Sequence, residues 1–270
     1  MKKIGIVGKD SFIGKVLFDF LTKSGKYYVT GTTIDTLDIT NSDAIADFVK
    51  NERCDAIILL AGSKNVKELE ANPDFGYKIN VKPVEDFVRN ITKERFIYFS
   101  SDYVFGGKGG KKGNYSIFDE VCPNTVYGKN KASAEEIIQK SGINYSIVRT
   151  AAVLGKESVF LSWLVKTLGN ENSVEMFEDS YFTPTCVTFL CEAVEKIIEH
   201  DKNQIYHAVQ EKRLSRYELG CMVKSILKSN CRIIPVKNKF EDRSLIQCDF
   251  VKGIATKTFE KYLRDELCIK

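Results

Sequence analysis

The sequence predicts an α/β protein in which a parallel sheet is covered by helices on both faces. In residues 1–100, short apolar strands alternate with amphipathic helices, a pattern typical of successive βαβ units. The strands are almost continuously apolar, as at 55–60 (Asp-Ala-Ile-Ile-Leu-Leu), which indicates burial on both sides of the sheet. The length of 270 residues allows one large domain or two smaller ones.

Each element follows from a local pattern. The strand at 3–7 precedes a helix at 12–23, where apolar residues recur at helical spacing. An Asn-Pro pair at 72–73 opens a long helix through residue 90. After residue 100 the alternation loosens, which indicates a smaller α+β region. The predicted strands are 3–7, 27–30, 55–60, 95–100 and 145–149, and the predicted helices are 12–23, 43–51, 73–90, 130–141, 160–169, 187–200 and 215–228.

Composition excludes several classes of protein. The net charge is only +4, from 40 Lys+Arg and 36 Asp+Glu, which is too small to favour nucleic acid. The longest unbroken apolar run, 56–61, is far below the roughly 20 residues of a membrane helix, and no secretory signal is recognisable. The eight cysteines form no C-x-x-C pair and only two histidines are present, so we expect reduced thiols, no metal site and a cytoplasmic location. Acid–base chemistry is expected to use Tyr, Lys, Asp or Glu.

A turn bounded by glycines, Gly8 to Gly14, lies between the first predicted strand and the first predicted helix. Such a turn suits a dinucleotide, because the glycines permit a tight turn and close packing while the phosphates lie at the helix N-terminus. Ser11 replaces the usual middle glycine. A tight turn without a ligand is the alternative. The residues expected to bind the cofactor here are Gly8, Lys9, Ser11, Phe12, Ile13 and Gly14.

The end of the second predicted strand carries small hydroxyl residues, Thr32 and Thr33, where an NAD site usually has an acidic residue. An ammonium attracts a ribose 2′-phosphate and a carboxylate repels it, so Lys9 in the turn favours NADPH. NADH is the alternative, with Lys9 solvated and Asp35 on the ribose.

Tyr127 and Lys131 form a Tyr-x-x-x-Lys pair whose side chains lie on one face of a helix. The ammonium, with an oxidised nicotinamide, is expected to lower the phenol pKa from about 10 and make the phenol a usable acid or base. The serine pair 100–101 ends the preceding strand and can bind the same carbonyl oxygen. Because the chain has 12 tyrosines, a structural pair is the alternative.

On these blocks the chain resembles the extended short-chain dehydrogenase/reductases, and within them the reductases of nucleotide-activated 4-keto-6-deoxy sugars. The most specific matches are 100–105 (Ser-Ser-Asp-Tyr-Val-Phe) and 126–131 (Val-Tyr-Gly-Lys-Asn-Lys). The other matching pieces are the glycine turn, 37–40, 61–62, 79–80, 123–125, Glu135, 149–150, 184–185 and 215–219.

The resemblance implies roles for individual residues. Tyr127 would protonate the carbonyl oxygen while hydride arrives from the nicotinamide, Lys131 would lower the phenol pKa and hold the ribose, and Ser101 would polarise the carbonyl. The implied cofactor contacts also include Asp38, Ile39, Ala61, Gly62, Ser63 and Asn80. The implied sugar contacts are Asp102, Tyr103, Val104, Ala151 and Ala152, although Asp102 could equally cap a turn.

The chain departs from the family at the substrate end. The loop after Phe105 is longer and carries Lys108, Lys111 and Lys112, which could meet a diphosphate or be solvated. Ala151 and Ala152 stand where the family has an aromatic residue, and its Arg-Pro segment is not recognisable in 241–246. The reaction type is therefore better supported than the identity of the sugar.

The expected function is NAD(P)H-dependent reduction of a nucleotide-activated 4-keto-6-deoxy sugar. An epimerase or dehydratase of the same fold and a non-catalytic NADP-binding regulatory subunit are the alternatives; Ser101 is followed by Asp-Tyr, not the Asp-Glu of dehydratases. We expect 1–150 to form a Rossmann-type doubly wound parallel sheet that binds NAD(P), and 151–270 to form a smaller α+β substrate-binding region interleaved with it. The expected partner is the nucleotide sugar, without nucleic acid, membrane or metal. A homodimer is compatible with the sequence.

Overall fold

The computed structural model describes residues 1–106 and 113–268 and has an α/β fold. The strands are β1 Lys2–Val7, β2 Tyr27–Thr32, β3 Ala56–Leu59, β4 Arg95–Ser101, β5 Tyr145–Thr150, β6 Val153–Leu154, β7 Ser173–Phe177, β8 Ser180–Phe182, β9 Thr185–Cys186, β10 Gln204–His207, β11 Leu214–Ser215, β12 Arg232–Val236 and β13 Glu241–Asp242. The helices are α1 Phe12–Ser24, α2 Ser42–Glu52, α3 Val66–Ala71, α4 Pro73–Asn80, α5 Lys82–Asn90, α6 Val126–Lys140, α7 Val159–Asn170, α8 Val187–Glu199, α9 Arg216–Leu227, α10 Asp249–Lys252 and α11 Phe259–Glu266.

The central sheet has six strands in the order β10-β5-β4-β3-β1-β2, and every neighbouring pair in it is parallel. The strand order reverses between β1 and β3, which creates a crevice at the carboxyl ends of these strands. The predicted doubly wound parallel sheet is therefore confirmed. The late strand β10 joins this sheet beside β5.

Helices cover both faces of the sheet, and each face has its own core. Along β1, Ile4 and Ile6 belong to a core that includes residues of α1, α7, α8 and α9, whereas Val7 belongs to a core with residues of α2, α5 and α6. This division explains why the strands are apolar at consecutive positions.

Two helices differ from their predicted bounds by more than one residue at an end. The helix predicted at 73–90 begins at Pro73 as expected, but it is divided at Val81 into α4 and α5, because Pro83 has no N–H for a helical hydrogen bond. The helix predicted at 130–141 begins at Val126, since Thr125 caps it by accepting a hydrogen bond from the Gly128 nitrogen at 3.0 Å. Tyr127 therefore lies within the first turn of α6.

Outside the central sheet, the described residues form three small sheets. One of them has the order β11-β8-β13. β11 runs antiparallel to β8, and β13 runs parallel to it. Within the described ranges, the structure contains no helix long and apolar enough to cross a membrane.

Candidate active site

The turn between β1 and α1 brings backbone groups so close together that two of its positions exclude a side chain. Gly8 has a φ of +90°, and a Cβ there would lie 2.8 Å from the backbone nitrogen of Ala61. A Cβ on Gly14 would lie 2.2 Å from the carbonyl oxygen of Gly8. Both positions require glycine, and the backbone is left bare where a pyrophosphate would approach.

Ser11, which replaces the middle glycine, is the N-cap of α1. Its Oγ accepts a hydrogen bond from the Gly14 nitrogen at 3.1 Å and donates one to the Gly8 carbonyl oxygen at 2.8 Å. The serine therefore fixes the turn. The first turn of α1 contains no acidic residue, so its positive helix end is free to attract a phosphate. Phe12 and Ile13 open the helix and pack against the core, with the Phe12 ring next to Gly155.

Lys9 and Thr32 meet at the end of β2. The Lys9 side chain lies along Gly31, where a Cβ would be 2.7 Å from the Lys9 Cδ, and its ammonium is 5.5 Å from the centroid of the Phe18 ring. Thr32 is buried, and its Oγ1 has no hydrogen-bond partner within the described part of the chain. An unpartnered buried hydroxyl beside a lysine fits a cofactor that supplies polar groups at this point, as NADP does.

The neighbouring residues of this edge have other contacts. The Thr33 nitrogen donates to Thr36 Oγ1 at 2.9 Å. Asp38 is exposed and accepts hydrogen bonds at 2.8 Å from the backbone nitrogen and the Oγ1 of Thr40, which hold its carboxyl pKa below the ordinary value. The Ile39 side chain is buried in the core on the α2 face.

A loop after β3 is braced by Asn80 at the end of α4. The Ser63 nitrogen donates to Asn80 Oδ1, and Asn80 Nδ2 donates to the Ser63 carbonyl oxygen, both at 2.9 Å. Gly62 has a φ of +147°, and a Cβ there would lie 2.7 Å from Asn80 Oδ1. Ala61, Gly62 and Ser63 are therefore held in one conformation beside Gly8, at the reversal of the strand order.

Tyr127 and Lys131 project from α6 towards the carboxyl end of β4. The Lys131 ammonium donates to the Phe99 carbonyl oxygen at 2.8 Å, and it lies 4.6 Å from the Tyr98 ring centroid and 5.8 Å from the Tyr127 ring centroid. Burial lowers the pKa of Lys131 to about 8, although the charge of Glu135 opposes this shift.

The pKa of Tyr127 differs from our expectation. Burial raises it well above the ordinary value, and a hydrogen bond with Ser101 opposes the rise. We expected the nearby ammonium to lower it, but desolvation of the phenolate dominates in the protein alone. Tyr127 is consequently held in its protonated form, ready to donate a proton.

Ser101 ends β4 and contacts the short 3-10 turn Asp102–Val104. Its Oγ donates to Asp102 Oδ1 at 2.9 Å and accepts from the Tyr103 nitrogen at 3.3 Å. Asp102 is buried, which raises its pKa, while Arg243 and the Ser101 hydroxyl act in the opposite direction. Ser101, Tyr127 and Lys131 are thus brought together, and Asp102 contacts the first of them.

The five residues implied to contact the sugar do not all face the site. The Tyr103 ring meets the Tyr127 ring edge-on, with centroids 5.3 Å apart. Val104 is fully buried in an apolar cluster that also contains Ala151, so its side chain packs inside the protein. The cause is the 3-10 turn, which points Val104 inward while Tyr103 stays half-exposed. Ala152 is half-buried against the core on the α8 face.

A buried ion pair lies behind Lys131. Glu135 follows Lys131 by one helical turn and binds Arg149 on β5, with nitrogen–oxygen distances of 2.6, 3.0 and 3.3 Å. Arg149 Nη1 is 3.4 Å from His207 Nε2 on β10. Burial and the Arg149 charge lower the pKa of His207 to about 3, so the imidazole is neutral at physiological pH. The pair joins α6 to the two strands beside it.

Sequence reasoning missed two arginines at this site. Arg243 follows β13, and its guanidinium carbon lies 3.9 Å from the Tyr103 ring centroid. Arg216 opens α9 and lies 4.0 Å from the Phe182 ring centroid. Their segments, 241–246 and 215–219, entered the sequence analysis only through the family patterns, and no strand was predicted before either arginine. Lys108, Lys111 and Lys112 lie outside the described residues.

Comparisons with known proteins show the family to which this chain is similar. The model of the RmlD substrate binding domain matches residues 1–244. The chain is 27% identical over 226 residues to the spore coat polysaccharide biosynthesis protein SpsK of Bacillus subtilis, covering 83% of this chain and 78% of that protein. It is 27% identical over 222 residues to the dTDP-4-dehydrorhamnose reductase of Mycolicibacterium smegmatis, covering 80% of this chain and 67% of that protein.

Among solved structures, the dTDP-4-dehydrorhamnose reductase of Bacillus anthracis in complex with NADP superimposes with a TM-score of 0.91 and 23% identity, over 99% of both chains. This likeness supports the α/β fold independently of the sequence match. The chain belongs to the RmlD substrate-binding domain family.

Proposed function

We propose that this protein is an NADPH-dependent reductase of a nucleotide-activated 4-keto-6-deoxy sugar. The observation that carries the proposal is the meeting of Ser101, Tyr127 and Lys131 at the carboxyl edge of the sheet, the edge that also carries the glycine turn. The relatives include dTDP-4-dehydrorhamnose reductases, which agrees with this chemistry. In this proposal residues 1–150 bind the cofactor and residues 151–270 mainly bind the substrate.

The cofactor would lie across the reversal of strand order. The turn from Gly8 to Gly14 would bind the pyrophosphate at the N-terminus of α1. Lys9 and Thr32 would bind the 2′-phosphate and ribose, with Thr33 and Asp38 beside them. The loop at 61–63, held by Asn80, would lie along the other ribose. Reduced nicotinamide supplies the hydride when it is bound.

The proton would come from Tyr127. As hydride reaches the carbonyl carbon, the carbonyl oxygen gains negative charge and takes the proton of the Tyr127 hydroxyl, so that C=O becomes CH–OH. The raised pKa of Tyr127 keeps the phenol protonated before this step. The Lys131 ammonium would stabilise the tyrosinate that remains, and a proton from solvent would restore the phenol. Ser101 would donate a hydrogen bond to the same carbonyl oxygen.

The first test is an assay with NADPH and dTDP-4-keto-6-deoxyglucose, followed at the nicotinamide absorbance and run with a 3,5-epimerase present. We expect NADPH to be consumed in step with the appearance of a reduced sugar nucleotide. In a parallel reaction without the added 3,5-epimerase, a change of the sugar without net consumption of NADPH would indicate an epimerase. Absence of NADPH consumption with the added 3,5-epimerase present would reject this substrate.

The second test replaces the proton donor. Tyr127→Phe should lower turnover by about 100-fold or more, because general acid catalysis typically contributes that much, and NADPH affinity should change little. Tyr77→Phe is the matched control, since Tyr77 is exposed and its hydroxyl donates to Glu85 on the surface. Unchanged turnover in Tyr127→Phe would show that another group supplies the proton.

We also propose that the protein is cytoplasmic, because its cysteines are expected to be reduced thiols. Its proposed partner is the nucleotide sugar.

A further inference from the structure

Thr150, the last residue of β5, carries a buried hydroxyl beside the candidate active site. The residue is 7% exposed, and its Oγ1 has no hydrogen-bond partner within the described residues. Burying a hydroxyl without a partner is costly, so buried hydroxyls in folded proteins are normally hydrogen-bonded. An unpartnered hydroxyl at the carboxyl end of a parallel strand therefore indicates a ligand that supplies the missing partner.

Thr150 is the neighbour of Ser101 across the sheet. β4 and β5 are parallel, and Ser101 is paired with Thr150 in their register. The side chains of paired residues lie on the same face of a sheet, and adjacent strands are about 4.8 Å apart. Thr150 is therefore one strand spacing away from the serine that forms a hydrogen bond with Tyr127.

The face of the sheet on which Thr150 lies is the face that α1 covers. Val148, two residues earlier on β5, and Phe99, two residues before Ser101, both belong to the core that contains residues of α1. Because side chains alternate along a strand, Thr150 and Ser101 lie on that same face. The Ser100 hydroxyl is also buried without a partner in the described chain, but the alternation places it on the opposite face, the face that α6 covers.

The strand order decides which part of a dinucleotide would reach Thr150. The glycine turn follows β1, and the order β10-β5-β4-β3-β1-β2 places β2 on one side of this turn and β3, β4 and β5 on the other. The pyrophosphate joins the two nucleotides of the cofactor, so a pyrophosphate bound at the turn has one nucleotide on each side. With the 2′-phosphate at β2, as proposed above, the nicotinamide nucleotide extends past β3 and β4 towards the end of β5.

We propose that the Thr150 hydroxyl binds the carboxamide group of the nicotinamide and so fixes the orientation of the ring, an inference that rests on the proposed function. A hydroxyl can donate to the carboxamide oxygen or accept from the carboxamide nitrogen. Ser101 and Tyr127 are assigned to the carbonyl oxygen of the sugar, which leaves the ring carboxamide without an assigned partner. A fixed ring would present one of its faces to the carbonyl carbon that receives the hydride.

The test compares two ligands that differ at the nicotinamide end. NADP⁺ and 2′-phospho-ADP-ribose, which lacks the nicotinamide ring, are titrated by calorimetry into the wild type, Thr150→Val and Thr150→Ser. Thr150→Val should weaken NADP⁺ binding by about 3- to 10-fold, as expected for the loss of one neutral hydrogen bond, and should leave the affinity for 2′-phospho-ADP-ribose unchanged. Thr150→Ser keeps the hydroxyl and should restore most of the NADP⁺ affinity.

Thermal unfolding of the ligand-free protein distinguishes a binding role from a structural one. Thr150→Val should keep or raise the melting temperature, because it removes a buried hydroxyl that has no partner in the described chain. Ser146→Ala is the control on the same strand. Ser146 is buried near the other end of β5, where its Oγ accepts a hydrogen bond from Arg95 Nη1 at 3.3 Å. This control should lower the melting temperature and leave NADP⁺ affinity unchanged.

Three results would overturn the inference. They are an NADP⁺ affinity in Thr150→Val equal to that of the wild type, an equal loss of affinity for NADP⁺ and 2′-phospho-ADP-ribose in Thr150→Val, and NADP⁺ binding by Thr150→Ser that is no tighter than binding by Thr150→Val.

Failure of the proposed function would give a different result. NADP⁺ binding that depends on the Thr150 hydroxyl, without NADPH consumption by any 4-keto sugar, would reject the reductase and keep the carboxamide contact. Reduction of a 4-keto sugar by NADPH, with equal NADP⁺ affinity in the wild type and Thr150→Val, would keep the reductase and reject the contact.

Discussion

Lys131 lies where burial disfavours its positive charge. The ammonium is buried between α6 and β4, where the Phe99 carbonyl oxygen, the Tyr98 ring and the charge of Glu135 compensate in part for the lost water. The same burial keeps Tyr127 protonated. Desolvation disfavours the charged form of each residue, and it therefore raises the pKa of Tyr127 and lowers that of Lys131.

Lys131→Met is expected to abolish turnover and to stabilise the cofactor-free protein. The pKa of Lys131 is about 8 in the folded protein, below its value of 10.5 in the unfolded chain. The unfolded state thus binds more protons between these values, and wild-type stability rises with pH across this window. The stabilisation by Lys131→Met, up to about 3 kcal/mol, should be full below pH 8 and shrink above it.

Urea unfolding at neutral and alkaline pH measures this difference. Lys129→Met is the control, because Lys129 is exposed on the same helix. A gain in stability that did not depend on pH would point to better packing by methionine and not to the removal of a buried charge.

At the scale of elements, the start of α1 depends on a side chain where a glycine was expected. The Ser11 hydroxyl forms hydrogen bonds with both ends of the turn, the Gly8 carbonyl oxygen and the Gly14 nitrogen. A turn with a third glycine in place of Ser11 would lack these hydrogen bonds, and only a bound ligand would hold it in one conformation. If the turn binds the pyrophosphate as proposed, the serine holds that site in shape before the cofactor binds.

Ser11→Ala should lower the free energy of unfolding by about 1 kcal/mol and weaken NADPH binding, because an N-cap is lost at the phosphate site. Urea unfolding and calorimetric titration with NADPH measure the two effects. Ser24→Ala is the control at the other end of α1, where the hydroxyl donates to the Leu21 carbonyl oxygen at 2.8 Å; it should alter stability alone. Equal NADPH affinity in Ser11→Ala and the wild type would show that the turn forms without its cap.

At the scale of the whole molecule, the Glu135–Arg149 pair holds the active-site helix to the sheet. Both side chains are buried, with 2% and 3% of their surfaces exposed. Removing one partner leaves the other charge buried and unpaired, so Glu135→Gln should lower the free energy of unfolding by about 3–5 kcal/mol. The double variant Glu135→Leu, Arg149→Met should lose less than Glu135→Gln alone, as measured by urea unfolding.

The control for this cycle is Glu136→Gln on the same helix, since the Glu136 and Lys140 side chains are 63% and 75% exposed and an exposed pair contributes less than about 1 kcal/mol. A loss in the double variant equal to the sum of the losses in Glu135→Leu and Arg149→Met would mean that the two residues act independently.

Features that depend only on residues close together in the sequence could be predicted from the sequence. The glycine turn, the Asn72 start of α4 and the Tyr127–Lys131 pair are local patterns, and the structure forms each of them. Other features depend on chain segments meeting across the fold. Arg243 reaches Tyr103 because β13 pairs with β8, and no local pattern in 241–246 encodes that pairing. The raised pKa of Tyr127 likewise follows from burial, which the i,i+4 spacing does not contain.

β10 completes one edge of the central sheet, although it is synthesised long after the strand with which it pairs. β5 ends at Thr150, but its outer neighbour, Gln204–His207, is synthesised much later. Until then β5 is an open sheet edge, and such edges invite pairing with other chains. The nascent chain must therefore shield that edge for about fifty residues of synthesis, several seconds at about 5–20 residues per second. A gene fragment that stopped at residue 150 would encode this exposed edge permanently.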